Sequence, residues 1–229
     1  GAHIAGSKIV YCEGVKCELI GDVAKIALIG AHNLENVLAS VVAARQFGVS
    51  IALIQKIIYS FKGLPDRLEF VRKINGVQYY NDSFSTIPET SIAGVKAFKQ
   101  SVILIAGGSD KGADYRKWAL ELQKSSNLKM VILIGTVADK MREALKTAVS
   151  GASAEVCGFA TAEAYKTRGG VEFPLKIYNA KSLDDAVKIA AENSIPDDIV
   201  LLSPAAASFD MFKNYKERGE KFRAIVKNL

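Results

Sequence analysis

The chain has 229 residues, enough to bury one sizeable core or two modest ones, so we expect one or two domains. Apolar residues make up 49% of it and charged residues 24%, which is typical of globular proteins. No apolar run reaches the roughly 20 residues that span a bilayer. The net charge of +6 favours anionic ligands. Because lysines and arginines are scattered rather than clustered with aromatic residues, a small phosphorylated molecule is favoured over nucleic acid.

The cysteines and the N-terminal residues predict a cytoplasmic protein. Cys12, Cys17 and Cys157 are odd in number and match no metal-binding spacing, so we expect free thiols in a reducing compartment. The first residues lack the charged and apolar regions of a signal peptide.

The first part of the chain predicts three short strands and then two helices. The strands are expected at residues 8–11, 17–20 and 26–28. Asn33 occupies a helix N-cap position, and apolar residues with the spacing of one buried helical face follow it. They are Leu34, Val37, Leu38, Val41 and Val42. A second helix, at 51–61, ends at K-G-L-P (62–65), which predicts a domain boundary between residues 1–65 and 66–229.

From residue 66 onward, predicted strands alternate with predicted helices. The strands are expected at 76–80, 102–106, 130–135, 175–178 and 199–203. The helices are expected at 88–98, 115–124, 137–149, 183–194 and 209–227. Continuous apolar runs such as V-I-L-I-A indicate strands buried on both faces. The predicted fold class is therefore α/β, with a mostly parallel sheet flanked by helices.

The carboxyl ends of the predicted strands indicate a binding site, because ligands of such sheets bind beyond those ends. The segments there are N-D-S-F-S-T (81–86), G-G-S-D-K-G (107–112), G-T (135–136) and S-P-A-A-A-S (203–208). Three of the four are rich in hydroxyl groups, glycine and charge. In 107–112 the glycines allow close backbone approach to a ligand, and Lys111 supplies a positive charge for a carboxylate or phosphate. An ordinary glycine turn with a solvated lysine remains the alternative.

Motifs nearer the N-terminus are less specific. H-N-L-E-N (32–36) is explained as a helix start, except for His32. Arg67 in L-P-D-R is either a solvated linker residue or a ligand residue, whose guanidinium group would suit a phosphate or stacking on an adenine. G-A-H-I-A-G-S-K (1–8) approaches a phosphate-binding P-loop, but the order of its serine and lysine is reversed and a strand follows, so we predict no P-loop there. With two histidines in the chain, no histidine-based nucleophilic set is available, and binding with charge stabilisation is favoured.

Taken in order, five motifs resemble those of the Mur ligases over essentially the whole chain. They are G-A-H-N-L-E-N, L-P-D-R, N-D-S-F-S-T, G-G-S-D-K-G-A-D-Y and L-L-S-P-A-A-A-S-F-D-M-F-K-N-Y-K-E-R-G, the last being the most specific. Within the family they resemble the branch that adds D-glutamate to UDP-N-acetylmuramoyl-L-alanine in peptidoglycan precursor synthesis.

The resemblance implies three domains, which bind the UDP-sugar, bind ATP through a P-loop, and form a Rossmann-like C-terminal domain. Residues 1–65 would be the tail of the central ATPase domain and 66–229 the C-terminal domain. The P-loop, the carboxylate that binds Mg²⁺ and a carbamylated lysine would lie upstream, so we expect this chain to be an inactive fragment. The resemblance also implies a monomer that uses ATP, Mg²⁺ and an acyl-phosphate intermediate.

The family's functional residues carry over to this chain position by position. The resemblance implies ATP binding by His32, Asn33, Asn36, Arg67 and Asp82. It implies binding of the incoming amino acid by Thr86, Lys111, Ser208, Phe209 and Tyr215. Among these, Asp82 and Lys111 are the expected catalytic residues. One lysine with hydroxyl and backbone N–H donors is chemically suited to a dianion.

Two positions depart from the family pattern. Asp66 stands where a histidine is usual, and Phe84 replaces the lysine of N-D-S-K-[AS]-T. A lost charge-assisted hydrogen bond is worth about 1.5–3 kcal/mol. Either another cation compensates for the lost lysine, or the amino-acid specificity differs, or the chain belongs to a divergent subfamily.

Two further interpretations stay open at this point. The chain could be a stand-alone module that binds a nucleotide or amino acid. It could also belong to a related ligase with another amino-acid substrate, such as a folylpolyglutamate synthase-like enzyme, although the S-P-A-A-A-S-F-D-M-F ending argues against that reading.

Overall fold

The computed structural model describes residues 1–151 and 175–229, which form two compact units, Gly1–Leu64 and Pro65–Leu229. The division falls one residue from the boundary expected at K-G-L-P. Within the two described ranges, no helix is both long and apolar enough to cross a membrane.

The first unit combines a three-stranded antiparallel sheet with two helices. The elements are β1 (Ala2–Ala5), β2 (Lys8–Glu13), β3 (Lys16–Asp22), a 3-10 turn (Val23–Lys25), α1 (Ala31–Gln46) and α2 (Ile51–Ser60). The predictions of β2, β3 and both helices are confirmed, whereas β1 was not predicted. The predicted strand at 26–28 is wrong, because these residues pair with no strand in the part of the chain that is described. In G-A-H-I-A-G-S-K a strand follows the turn, which confirms that it is no P-loop.

Helix α1 begins two residues earlier than its predicted cap. Gly30 is the N-cap, with φ 95° and no side-chain cap hydrogen bond. Asn33 lies inside the helix, where its Nδ2 donates to the Ile29 carbonyl at 2.7 Å. The N-cap prediction for Asn33 is therefore wrong, since the amide bonds the preceding carbonyl instead of the free N–H groups. The predicted apolar face is confirmed by Val37 and Val41, which are buried in the core of this unit.

Cys12 and Cys17 form a disulfide, so the expectation of free thiols is wrong for these two residues. The β2–β3 hairpin pairs Cys12 directly with Cys17, and their Cα atoms lie 4.1 Å apart. Cysteine spacing along the chain did not reveal this pairing because it depends on strand register. Cys157 lies outside the described residues.

The second unit contains a six-stranded sheet with the order β4-β5-β9-β6-β7-β8. Its strands are β4 (Glu69–Ile74), β5 (Val77–Asn81), β6 (Val102–Gly107), β7 (Leu128–Ile134), β8 (Lys176–Asn179) and β9 (Ile199–Leu202). The ladders from β5 to β8 are parallel, which confirms the mostly parallel α/β fold. Strand β4 pairs antiparallel with β5 and was not predicted, because its charged residues E-F-V-R-K-I suit an edge position with little apolar signal.

Helices connect the strands as expected. They are α3 (Pro88–Lys96), α4 (Arg116–Gln123), α5 (Ala138–Gly151), α6 (Leu183–Asn193) and α7 (Tyr215–Lys227). The prediction that the last helix starts at residue 209 is wrong. Asn214 caps α7 by accepting a hydrogen bond from the Glu217 N–H, and residues 209–214 form turns before it.

The central strands are buried on both faces. Ile103, Ile105 and Ile132 join a core that includes residues of α6 and α7. Leu104 and Val131, which alternate with them along the strands, are also fully buried. Burial on both faces explains the uninterrupted apolar runs in the sequence. It also leaves the carboxyl ends of adjacent strands as the exposed edge where polar segments gather.

Candidate functional site

The segments predicted to converge at the carboxyl edge are joined by backbone hydrogen bonds. In the turn 203–208, the Ala205 N–H donates to the Ser85 carbonyl at 2.9 Å. On the other side of that turn, Ser109 N–H donates to the Ala207 carbonyl at 2.8 Å. The corner 81–86, the alanine turn 203–208 and the glycine loop 107–112 therefore form one continuous surface, which confirms the predicted convergence.

The glycine loop needs glycine at its first two positions. A Cβ on Gly107 would lie 2.0 Å from the Ile134 carbonyl oxygen, and one on Gly108 would lie 2.0 Å from that of Ala207. Both residues also have positive φ, at 119° and 141°. This close approach of three backbone segments confirms the tight turn expected from G-G-S-D-K-G.

Asp82 is the central carboxyl group of the corner and is only 3% exposed. Its Oδ2 accepts a hydrogen bond from Ser203 Oγ at 2.8 Å, and its Oδ1 accepts one from the Leu68 N–H at 3.2 Å. Burial raises the pKa of Asp82 to about 6, against the opposing effects of these hydrogen bonds and of Arg67. Both oxygens are thus already engaged within the protein, and the carboxyl group holds residues 67–68 beside the corner.

Asp66, which stands where the resemblance to the Mur ligases implies a histidine, is buried and pairs with half-buried charged side chains. Asn81 donates through Nδ2 to Asp66 Oδ1 at 2.8 Å and to Glu69 Oε2 at 3.1 Å. Arg223 on α7 donates through Nη1 to the same two oxygens, at 2.9 Å each. An aspartate is accommodated here because its carboxylate accepts hydrogen bonds from Arg223 and Asn81, with Arg223 shared between Asp66 and Glu69.

Arg218 is a functional candidate that the sequence reasoning missed. It is fully buried on α7 and bonds two of the converging segments. Its Nε and Nη2 donate to Oγ and the carbonyl of Ser83, at 3.0 and 2.9 Å, and its Nη1 donates to the carbonyls of Ala206 and Ala207 at 3.2 and 3.3 Å. Burial lowers the pKa of Arg218 to about 10, which leaves it cationic at neutral pH. Only its place in the quoted K-E-R-G motif could have pointed to it.

Phe84 projects from the corner and is 46% exposed. The Arg67 guanidinium carbon lies 5.3 Å from the centroid of the Phe84 ring. On α7, the Tyr215 ring packs edge-on against Phe84 with the centroids 4.8 Å apart. Ser83 Oγ also donates to the Tyr215 carbonyl at 2.7 Å. The structure therefore brings Arg67, Phe84 and Tyr215 together at one corner.

The expected amino-acid ligands lie on the neighbouring segments. Lys111 is exposed on the glycine loop, with its Nζ 4.9 Å from the centroid of the Phe209 ring. Thr86 is half-buried, and its N–H donates to the Phe84 carbonyl. Ser208 is buried at the end of the alanine turn. These residues share the edge that carries Asp82.

The remaining predicted nucleotide ligands belong to the first unit. His32 and Asn33 are half-buried near the start of α1, and Asn36 is exposed one turn further on. They share one end of one helix, as their spacing predicts.

The described residues contain no group of three or more histidine, cysteine, aspartate or glutamate side chains placed to hold a metal ion. At the carboxyl edge, Asp82 accepts protein hydrogen bonds through both oxygens, and Asp110 forms an ion pair with Lys140. The donor set of this edge does not fit a Mg²⁺ site.

Residues 66–206 match the family described as Mur ligase, glutamate ligase domain. The chain is 38% identical over 229 residues to the UDP-N-acetylmuramoylalanine--D-glutamate ligase of Acetivibrio thermocellus, and equally to that of Solibacter usitatus. Each alignment covers 100% of this chain but 45% of the relative, so the chain spans less than half the length of these relatives.

Solved structures show the same fold at low identity. UDP-N-acetylmuramate-alanine ligase from Thermotoga maritima has a TM-score of 0.62 at 12% identity, covering 97% of this chain and 44% of that one. Escherichia coli FolC in complex with ADP has a TM-score of 0.63 at 14% identity, covering 99% and 46%. These likenesses establish the fold, and the family match, which extends over most of the chain, establishes the lineage. The chain belongs to the Mur ligase family.

Proposed function

We propose that this chain is the C-terminal part of a cytoplasmic, ATP-dependent ligase that adds D-glutamate to UDP-N-acetylmuramoyl-L-alanine. The observation that carries the proposal is the shared carboxyl edge, where Arg67, Lys111 and Ser208 lie on hydrogen-bonded segments. The 38% identity to relatives with that printed activity supports the choice of substrates. The P-loop would lie in a part of the ligase outside these 229 residues.

The proposed reaction is carboxylate activation followed by amide formation. ATP transfers its γ-phosphoryl group to the alanine carboxylate and leaves as ADP. The deprotonated glutamate amine attacks the carbonyl carbon of the acyl phosphate, and the tetrahedral intermediate loses a proton and expels phosphate to give the amide. In such chemistry the protein contributes mainly positioning and charge neutralisation. In this proposal Arg67 binds nucleotide phosphate, and Lys111 with Thr86 and Ser208 binds the glutamate carboxylates.

The resemblance implies an ATP-binding and catalytic role for Asp82; because both of its oxygens accept protein hydrogen bonds, we propose that it acts by positioning. Its bond to the Leu68 N–H fixes the backbone next to Arg67, and its bond to Ser203 fixes the start of the alanine turn. The carboxyl group therefore sets the distance between the nucleotide side and the amino-acid side. Mg²⁺ would neutralise phosphate charge in the complete ligase, but no step is assigned to it through the described residues.

The test is phosphate release by the complete ligase that carries this chain. Release is expected only when ATP, UDP-N-acetylmuramoyl-L-alanine and D-glutamate are all present. Lys111→Met should raise the KM for D-glutamate by at least about tenfold, since a charge-assisted contact is lost. Lys117→Met is the matched control, because Lys117 is an exposed lysine on α4. Equal effects of the two substitutions would contradict the assignment of Lys111.

Phe84 favours a second candidate, a ligase of the same family with another amino-acid substrate. The ring occupies the position of a family lysine and lies beside Tyr215, which makes this side of the site more apolar. Phosphate release with a different amino acid, and none with D-glutamate, would select this candidate. If the isolated chain binds ATP or glutamate but the gene encodes no P-loop, a stand-alone binding module is indicated instead.

A further inference from the structure

Two cations of the candidate site each lie against an exposed aromatic ring. Arg67 lies over Phe84 and Lys111 lies over Phe209, at 5.3 and 4.9 Å from the ring centroids. Phe84 is 46% exposed and Phe209 62%. Among residues 1–151 and 175–229, neither cation forms a salt bridge. Each cation therefore contacts an aromatic ring rather than a carboxylate in the described structure.

Both rings are carried on hydrogen-bonded backbone segments. The Phe84 N–H donates to the Asp66 carbonyl at 2.9 Å, and Tyr215 supports the ring from the side. Phe209 lies in a turn in which the Ser208 carbonyl accepts from two N–H groups, at 3.2 and 2.8 Å. A phenylalanine side chain has fewer rotatable bonds than an arginine or lysine side chain, so each ring is the less flexible member of its pair.

We propose that Phe84 and Phe209 are positioning residues that hold Arg67 and Lys111 in place before their anionic ligands bind. The inference rests on the proposed function, in which Arg67 binds a nucleotide phosphate and Lys111 binds the carboxylate of an amino acid. A cation that is already restricted loses less conformational freedom when the anion arrives. Phe84 would then assist nucleotide binding indirectly, by holding Arg67. The lysine that the family pattern has at this position would instead supply a positive charge itself.

The two pairs predict separable effects on the two substrates. In the complete ligase, Phe84→Leu should raise the KM for ATP about two- to fivefold and leave the KM for D-glutamate unchanged. This factor is the range expected for loss of a cation–π contact at an exposed site. Phe209→Leu should raise the KM for D-glutamate by a similar factor and leave the KM for ATP unchanged. Phe84→Tyr keeps an aromatic face and should restore the wild-type KM for ATP.

Phe70→Leu is the matched control for loss of an exposed ring. Phe70 is 52% exposed and packs edge-on against Tyr80 with centroids 5.5 Å apart, and within the described chain no cation lies over its ring. It should change neither KM. If each Phe→Leu variant changed both KM values together, or only kcat fell, the rings would have a general structural role and the proposal would be overturned.

A ligand-free measurement separates this proposal from the proposed function. In a ¹H–¹³C spectrum of the chain, ring currents should shift the Cδ–H signals of Arg67 and the Cε–H signals of Lys111. Phe84→Leu should remove the first shift and Phe209→Leu the second; unchanged signals would overturn the pairing even if the ligase is active. Absence of any phosphate release by the wild-type ligase would instead refute the proposed function. In that case, titration of the same Arg67 and Lys111 signals with ADP and D-glutamate would decide whether the two cations bind these anions.

Discussion

Replacing Asp82 with asparagine should stabilise the fold at neutral pH and impair the ligase. Asp82 is buried and its pKa is raised from the ordinary value of 3.8 to about 6. A pKa that is higher in the folded than in the unfolded state favours folding below about pH 4, and this stabilisation is lost as pH rises through about 6. Above pH 6 the folded protein therefore carries the cost of a buried charge.

The size of that cost follows from the pKa change. At about 1.4 kcal/mol per pKa unit, a rise from 3.8 to about 6 corresponds to about 3 kcal/mol. In Asp82→Asn the side-chain oxygen can still accept the hydrogen bond from the Leu68 N–H. The amide NH₂ group, however, takes the place of the oxygen that accepts from Ser203 Oγ, and we expect this change to cost about 1 kcal/mol of stability. The expected net gain for Asp82→Asn at pH 7.5 is about 1–2 kcal/mol.

Urea unfolding of both proteins between pH 4 and 7.5 measures the difference directly. The stability of the variant relative to wild type should increase by about 2.4 kcal/mol across this range, because at pH 4 the carboxyl group of the unfolded wild type is already partly ionised. Asp110→Asn provides a control of opposite sign, since a hydrogen bond from the Gly112 N–H and the nearby Lys140 lower the pKa of Asp110. A pH-independent loss of more than about 1 kcal/mol in Asp82→Asn would refute the reasoning.

Four further substitutions test the packing around the site and the disulfide of the first unit. Gly108→Ala should destabilise the fold by at least about 3 kcal/mol in urea unfolding, because its Cβ would lie 2.0 Å from the Ala207 carbonyl oxygen; Gly112→Ala, with positive φ but open space, should cost only about 1 kcal/mol. Arg218→Met should cost about 3–5 kcal/mol in the same assay, since its buried hydrogen-bond acceptors are left unpaired, and a cost below about 1 kcal/mol would contradict this account. Cys12→Ser should destabilise the first unit by about 2 kcal/mol relative to untreated wild type. Wild type treated with dithiothreitol should show the same loss, and the variant should then be no less stable than the reduced protein.

Local patterns in the sequence were sufficient for the parallel core. The strands β5, β6, β7 and β9 were predicted within two residues at each end, because apolar runs in β6, β7 and β9 and a strand-like alternation leading into β5 are bounded by glycine or polar residues. The corner, the glycine loop and the alanine turn were predicted to meet, since parallel strands place their carboxyl ends at one edge. Edge strand β4 was missed because half-exposed, charged residues give no comparable signal.

Side-chain contacts between distant segments could not be predicted in the same way. Nothing in the local sequence indicated that Arg218 would bond Ser83, 135 positions away, or that Arg223 would balance Asp66. The Cys12–Cys17 disulfide likewise depends on the register of the β2–β3 hairpin. The contact between Arg67 and Phe84 depends on two segments of the chain coming together in the fold.

The sequence by itself thus indicated the family, the succession of parallel strands and helices along the second unit, and the edge of the sheet that carries the candidate site. The tertiary structure alone decided which charges are buried, which hydrogen bonds hold the converging segments together and which rings lie against the cations. The physical reason is range: apolar periodicity and turn chemistry act between neighbours along the chain, whereas burial and charge compensation arise only when distant segments pack together.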